Sequence, residues 1–109
     1  MKIAITSMGD NLDSFVSERF GRAPYFIIYD TETQKFIPHK NNADLLSGGA
    51  GPEAVRQIYS YGVDVILTGN LGGNAASAIE SSGMKVVTGF KGTQKVKNAI
   101  EEYIASLKK

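Results

Sequence analysis

The sequence predicts an α/β fold in which helices pack against a central β-sheet. Two successive strand–loop–helix units with similar sequences occupy residues 62–80 and 83–101. Right-handed crossovers of this kind place their strands parallel and side by side. Earlier in the chain, the apolar run at residues 25–30 is separated by a polar turn from residues 35–40, which predicts a β-hairpin. Helical crossovers together with a hairpin predict a mixed sheet of five strands.

The composition is that of one ordinary globular domain spanning residues 1–109. Hydrophobic residues make up 42% of the chain and charged residues 21%, which is enough to build a core. The absence of Cys excludes disulfides and thiolate-bound metal. The apolar run at residues 3–5 is too short for a signal peptide or a membrane span, so we expect a cytoplasmic protein. A net charge of +1 gives no indication of nucleic acid or an anionic membrane as a partner.

The first half of the chain contains three strands. Residues 2–6 alternate and are rich in β-branched side chains, so they predict the first strand. Residues 10–21 form a long loop with room for one helical turn at residues 17–19. The continuous apolar run at residues 25–30 predicts a strand buried on both faces. Pro38 in the third strand indicates a sheet edge, because proline cannot donate to a ladder.

The second half alternates helices with strands. Pro52 is predicted at the first helical position of helix one, which ends before Gly62. The second helix begins near Asn74 and ends at Gly83, and Thr93 is the predicted N-cap of the last helix. The intervening strands are predicted at residues 63–68 and 84–88. The inward stripe of the first helix is predicted from Ala54, Val55, Ile58 and Tyr59.

This topology gathers the glycine-rich segments at one edge of the sheet. If strand two is antiparallel to strand one, the loop before it reaches the edge where the parallel strands end. Ligands of open α/β sheets bind at that edge, and helix N-termini there attract anions. Arg19 and Arg22 add charged donors. We therefore predict an anion-binding cleft, although each glycine by itself is explained as well by a tight turn. The segments concerned are residues 7–9, 48–51, 69–73 and 89–92.

Sharper catalytic and metal-binding motifs are absent or weak. No segment fits the phosphate-binding loop, and Gly49-x-Gly51-x-x-Ala54 matches the dinucleotide fingerprint only in its letters. No carboxylates converge for two-metal chemistry. His39 is the single histidine, and it could supply one imidazole ligand or simply be exposed at the end of an edge strand. The sequence therefore favours a binding protein over an enzyme.

The order of motifs resembles the dinitrogenase iron–molybdenum cofactor biosynthesis family, also called nitrogenase accessory factors. The resemblance covers essentially the whole chain. It is carried by residues 12–14, 19–26, 49–52, 62–72 and 74–75. It implies a ribonuclease H-like three-layer α/β/α fold with strand order 3-2-1-4-5 and an antiparallel strand two. It also implies a role in binding iron–molybdenum cofactor or its iron–sulfur precursor, with a metalloprotein or cofactor-assembly partner.

One position departs from the family pattern. Many members carry His immediately before the Phe-Gly pair, where this chain has Arg19. Arginine does not ligate metal but can hold an anionic cluster by charge and hydrogen bonds. The candidate cofactor-binding residues are Arg19, Phe20, Gly21, Arg22, Gly49, Ala50, Gly51, Gly69, Asn70, Gly72, Gly73 and Asn74, with His39 as a candidate metal ligand.

Three functions are consistent with the sequence. The leading hypothesis is a non-enzymatic carrier for an anionic metal cluster, of the iron–molybdenum or iron–sulfur type, or for a similar anion. The second is an enzyme or sensor that binds a phosphorylated metabolite or nucleotide in the same cleft. The third is an interaction domain for a metalloprotein.

Overall fold

A computed structural model describes residues 1–43 and 46–108. Its elements are β1 (Lys2–Ser7), β2 (Tyr25–Asp30), β3 (Phe36–Lys40), α1 (Ala50–Tyr59), β4 (Val65–Leu67), α2 (Gly73–Ser82), β5 (Lys85–Val87) and α3 (Val96–Ser106). The five strands form one sheet with the order β3-β2-β1-β4-β5. The α/β class, the number of strands and their order are therefore confirmed.

The strand directions also agree with the prediction. β2 is antiparallel to its neighbours β1 and β3, whereas β4 is parallel to β1 and β5 is parallel to β4. In the centre of the sheet Ala4 lies opposite Ile28 on one side and Ile66 on the other. The carboxyl ends of β1, β4 and β5 therefore meet the start of β2 at one edge.

Helices cover both faces of the sheet, as a three-layer fold requires. On one face, α1 and α2 pack over a core that includes Phe26, Ile58 and Ile79. On the other face, α3 packs over a second core that includes Ile5 and Ile100. Alternation along β1 explains the split, because Ala4 belongs to the first core and Ile5 to the second.

Helix α1 differs from its prediction in two respects. It begins at Ala50, so Pro52 is its third residue and not its first. Gly49 precedes it in the left-handed region, with φ of 73°, and this turn starts the helix two residues early. Tyr59 was expected to face inward, but 59% of its surface is exposed. The residue lies at the last position of the helix, where the predicted stripe leaves the sheet.

Two further predictions about loops are wrong. Residues 17–19 form no helical turn, because Arg19 pairs with Asn70 in a parallel bridge that prolongs the sheet. Thr93 does not cap α3, which is preceded by Lys95. The first amides of α3 are used by the loop that follows β1, since Val96 N donates to Ser14 O at 2.8 Å.

Candidate functional site

A cleft of about 350 Å³ opens at the sheet edge where the arginine-bearing loop meets the starts of α1 and α2. We refer to it as the cleft, and to residues 17–24 as the arginine loop. The residues that line the cleft are Arg19, Phe20, Gly21, Arg22, Gly49, Ala50, Gly51, Pro52, Asn70, Leu71, Gly72, Gly73, Asn74 and Ala75.

The arginine loop is fixed to the sheet at its first half. Asn70 N donates to Glu18 O at 2.7 Å, and Phe20 N donates to Asn70 O at 3.2 Å. The Phe20 side chain is 1% exposed and packs against Phe26, with ring centroids 5.4 Å apart. The buried phenyl ring and the two main-chain hydrogen bonds hold Arg19 between them at the rim of the cleft.

Close glycine packing brings the three walls together. A Cβ atom at Gly21 would lie 3.0 Å from Gly51 N, so the arginine loop touches the backbone of α1 directly. A Cβ atom at Gly51 would lie 2.8 Å from the Ala75 Cβ, so α1 approaches α2 equally closely. Such distances are shorter than normal carbon–carbon contacts, and side chains here would force the walls apart.

The first main-chain amides of both helices belong to residues that line the cleft, and they have no helical partners. The hydrogen-bond ladder of α1 begins with Glu53 N donating to Gly49 O, so the amides of Ala50 and Gly51 precede it. In α2 the ladder begins with Ala76 N, which leaves the amides of residues 73–75 before it. Among the described residues no side chain caps either helix. Free amides at two helix N-termini make this wall attractive to an anion.

Two guanidinium groups complete the positive character of the cleft. Arg19 is exposed, and within residues 1–43 and 46–108 its side chain makes no hydrogen bond or ion pair. The Arg22 guanidinium donates to Leu46 O, which ties it to the loop before α1. Because the donors of Arg19 are unused among the described residues, this guanidinium can give a ligand a charge-assisted, bidentate contact.

Among residues 1–43 and 46–108, no carboxylate lines the cleft. The nearest acidic residue on α1 is Glu53, which forms an ion pair with Arg56. The hydrogen bond from Arg56 lowers the pKa of the Glu53 carboxyl from its ordinary value, so this side chain stays ionised and engaged elsewhere. In the part of the chain that the structure describes, the charged side chains that line the cleft are therefore both cationic.

Eleven of the twelve residues predicted from the sequence to bind the cofactor line this cleft. The exception is Gly69, which lies beneath the rim, where a Cβ atom would come 2.6 Å from the Glu18 Cα. The cleft is also lined by Pro52, Leu71 and Ala75, which were not among the twelve predicted residues.

His39 does not line the cleft. Its Nδ1 lies 2.7 Å from Tyr61 Oη and its Nε2 lies 2.7 Å from Gln57 Oε1, so both ring nitrogens are engaged. Elsewhere in the described chain, no group of three or more His, Cys, Asp or Glu side chains is placed to hold a metal ion. The donor set of the cleft, guanidinium and amide N–H groups, suits an anion that brings its own metal ligands and does not suit direct coordination of a metal ion by the protein.

No helix in the described ranges is long and apolar enough to cross a membrane.

Comparison with models of protein families assigns the chain to a family. A model of the family described as "Dinitrogenase iron-molybdenum cofactor" matches residues 1–106. The chain belongs to this family. The resemblance identified from the sequence is therefore confirmed over nearly the whole length of the chain. No match was found among curated proteins.

Solved structures of two relatives share the fold of this family member. The apo form of the orange protein from Desulfovibrio gigas superposes with a TM-score of 0.93 and 33% identity, over 96% of this chain and 88% of that one. A putative NifB protein from Thermotoga superposes with a TM-score of 0.83 and 38% identity, over 95% of this chain and 87% of that one.

Proposed function

We propose that this protein is a non-enzymatic carrier that holds an anionic metal cluster, of the iron–molybdenum or iron–sulfur cofactor type, in the cleft. The observation that carries the proposal is the donor set, in which two arginines and two uncapped helix N-termini converge on one opening. Family membership supports the cofactor as the cargo. The description of the orange protein structure as an apo form adds support for a ligand in this fold.

The cleft would bind its cargo by outer-sphere contacts. The cluster would arrive with its metal ions already ligated, and the protein would neutralise its charge with guanidinium groups and hydrogen bonds from main-chain amides. Such contacts are reversible, which suits delivery to an acceptor metalloprotein. The open mouth of the cleft leaves one side of the cargo accessible to that partner.

Replacement of Arg19 tests the proposal. Arg19→Ala should weaken binding of isolated iron–molybdenum cofactor by about 5- to 150-fold, since a charged hydrogen bond contributes about 1–3 kcal/mol. Anaerobic titration followed by absorbance and EPR would measure the affinity. Arg56→Ala is the matched control, because Arg56 lies outside the cleft and pairs with Glu53. Equal affinities for the three proteins would contradict the role of Arg19, and absence of binding by the unaltered protein would refute the carrier function.

A second candidate function rests on the same two helix N-termini. Phosphate groups bind readily at such positions, so the cleft could serve a phosphorylated metabolite or nucleotide. Thermal unfolding with a panel of phosphate compounds separates the two functions. A true ligand at a hundredfold excess over its dissociation constant should add about 2.7 kcal/mol of stability. A flat response across the panel, together with cofactor binding, would leave the carrier function alone.

A further inference from the structure

Asn41 is a fully buried polar residue directly after β3, with no exposed surface. Its Nδ2 donates two hydrogen bonds, to Gly21 O at 3.0 Å and to Ala23 O at 2.9 Å. Its Oδ1 accepts a hydrogen bond from Ala43 N at 2.9 Å. One side chain therefore joins the arginine loop to the segment that leads from β3 towards α1.

The two acceptors of the Asn41 amide lie on either side of Arg22. Gly21 O and Ala23 O are the carbonyls of the residues before and after it, so the amide fixes the backbone from which the guanidinium extends. The main chain adds a third link to the same loop, because Asn41 N donates to Pro24 O at 3.0 Å. Arg19 is held differently, by the pairing of its own segment with Asn70.

The segment around Asn41 is also anchored to α1. Asn42 N donates to Gln57 Oε1 at 3.2 Å, and Gln57 is a buried residue of that helix. His39 lies 2.7 Å from the same oxygen and holds the Gln57 side chain in place. The position of the arginine loop relative to α1 thus depends on a series of hydrogen bonds that passes through Asn41.

We propose that Asn41 is a positioning residue of the cleft, which sets Arg22 and Gly21 against the amides of α1. The proposal rests on the proposed binding function and adds a residue that lines no part of the cleft. Truncation of the side chain leaves two carbonyls of the arginine loop without this donor, a buried one at Ala23 and a partly buried one at Gly21. The loop then moves to regain hydrogen bonds, and the close contact between Gly21 and Gly51 opens.

A double-mutant cycle tests this role, with isolated iron–molybdenum cofactor as the probe. In the unaltered background, Arg22→Ala and Arg19→Ala should each weaken binding. In the Asn41→Ala background, Arg22→Ala should have about fivefold less effect than before, whereas the effect of Arg19→Ala should be unchanged. General loss of stability would change both effects alike, so equal coupling to the two arginines would overturn the proposal. Asn41→Ser, which is also too short to reach both carbonyls, replaces Asn41→Ala if that variant does not fold.

A measurement without ligand separates this proposal from the binding function. In Asn41→Ala, NMR should show faster backbone motion at Arg22 and Ala23 and a weaker nuclear Overhauser effect between Gly21 and Gly51. The amides of Asn70 and Leu71 should keep their order, because Asn70 pairs with Glu18 and Phe20 and not with the partners of Asn41. Unchanged order at residues 21–23 would refute the positioning role, whatever the protein binds. Failure of the cofactor to bind the unaltered protein, with loss of order in the variant, would refute only the binding function.

Discussion

At the scale of single residues, Gly69 shows how tightly the arginine loop is packed on the end of β4. A Cβ atom there would lie 2.6 Å from the Glu18 Cα and 2.7 Å from Glu18 O, both of which are main-chain atoms that cannot rotate away. Gly69→Ala should therefore lower the free energy of unfolding by about 1–3 kcal/mol, the usual cost of overpacking. Thermal and urea unfolding followed by circular dichroism would measure the loss.

Gly48→Ala is the matched control for this substitution. No atom of the described residues lies within 4 Å of a Cβ atom at Gly48. An added methyl group there reduces the freedom of the unfolded chain without a clash, so stability should stay the same or rise by up to about 1 kcal/mol. Equal stability of Gly69→Ala and Gly48→Ala would show that residues 18 and 69 are not closely packed in solution.

The sequence was informative about some residues of the site and silent about others. Arg19 and Arg22 could be placed at the cleft, because a charged loop before an antiparallel strand must enter at that edge. The role of Asn41 could not be predicted, since it depends on three hydrogen bonds to residues up to 20 positions away. The contacts of His39 were equally out of reach, because they depend on the facing side chains of α1 and the turn after it.

At the scale of elements, the loop after β1 is attached to α3 by an exposed ion pair. Lys97 Nζ lies 2.8 Å from Asp13 Oδ1. The main chain of the same residue adds a hydrogen bond, because Lys97 N donates to Leu12 O at 3.0 Å. The hydrogen bond and the charge of Lys97 lower the pKa of the Asp13 carboxyl, and those of Asp13 raise the pKa of the Lys97 ammonium. Both shifts favour the charged forms in the folded protein.

The shifts define the pH range in which this pair contributes to stability. A carboxyl with a lowered pKa stabilises the fold above its unfolded value of about 3.9, and the contribution is lost as the pH falls through the folded pKa. A lysine with a raised pKa stabilises below its unfolded value of about 10.4, and the contribution is lost as the pH rises through the folded pKa. The pair therefore acts across the neutral range.

Lys97→Met should return the pKa of Asp13 towards its ordinary value. An NMR titration of the Asp13 side-chain carbon would record the change directly. Lys91→Met serves as the control, because Lys91 is not among the groups that shift this carboxyl. The same Asp13 pKa in the unaltered protein and in Lys97→Met would show that the two side chains do not interact in solution. High salt should reduce the shift as well, since both groups are exposed.

Element boundaries were the least predictable part of the fold. Pro52 suits the first helical position, but Gly49 adopts a left-handed turn that allows α1 to start at Ala50. The N-terminus of α3 was assigned to Thr93 as a cap, whereas carbonyls of the loop after β1 accept its first amides. A backbone turn therefore sets the start of α1 and tertiary hydrogen bonds set the start of α3, and neither can be read from the local sequence.

At the scale of the whole molecule, resistance to local unfolding should be highest in the central strand and should decrease towards the edge of the sheet. Residues Ile3, Ala4 and Ile5 of β1 have no exposed surface, and strands lie on both sides of them. The residues of β5 are all exposed at one sheet edge. Native-state hydrogen exchange should therefore show the slowest amides in β1 and much faster exchange in β5. Equally slow exchange in the two strands would contradict this gradient.

The topology could be predicted because a few strong constraints act together. Two crossover units required β4 and β5 to be parallel, and the short turn after β2 required a hairpin. Once the direction of β2 was assigned, the arginine loop and the glycine-rich segments fell at the same edge. The precise walls of the cleft followed only from packing, such as the contact of Gly51 with Ala75, which no sequence pattern reports.

The amide wall of the cleft has a consequence for mutational scanning. Its donors at Ala50, Gly51 and residues 73–75 belong to the peptide backbone, and a side-chain substitution at these positions leaves each N–H group in place. An alanine scan would therefore show a large loss of ligand affinity at the two arginines and almost none at the residues of the amide wall. Replacement of single peptide bonds by esters, which removes one donor at a time, is the experiment that would reveal the share held by the backbone.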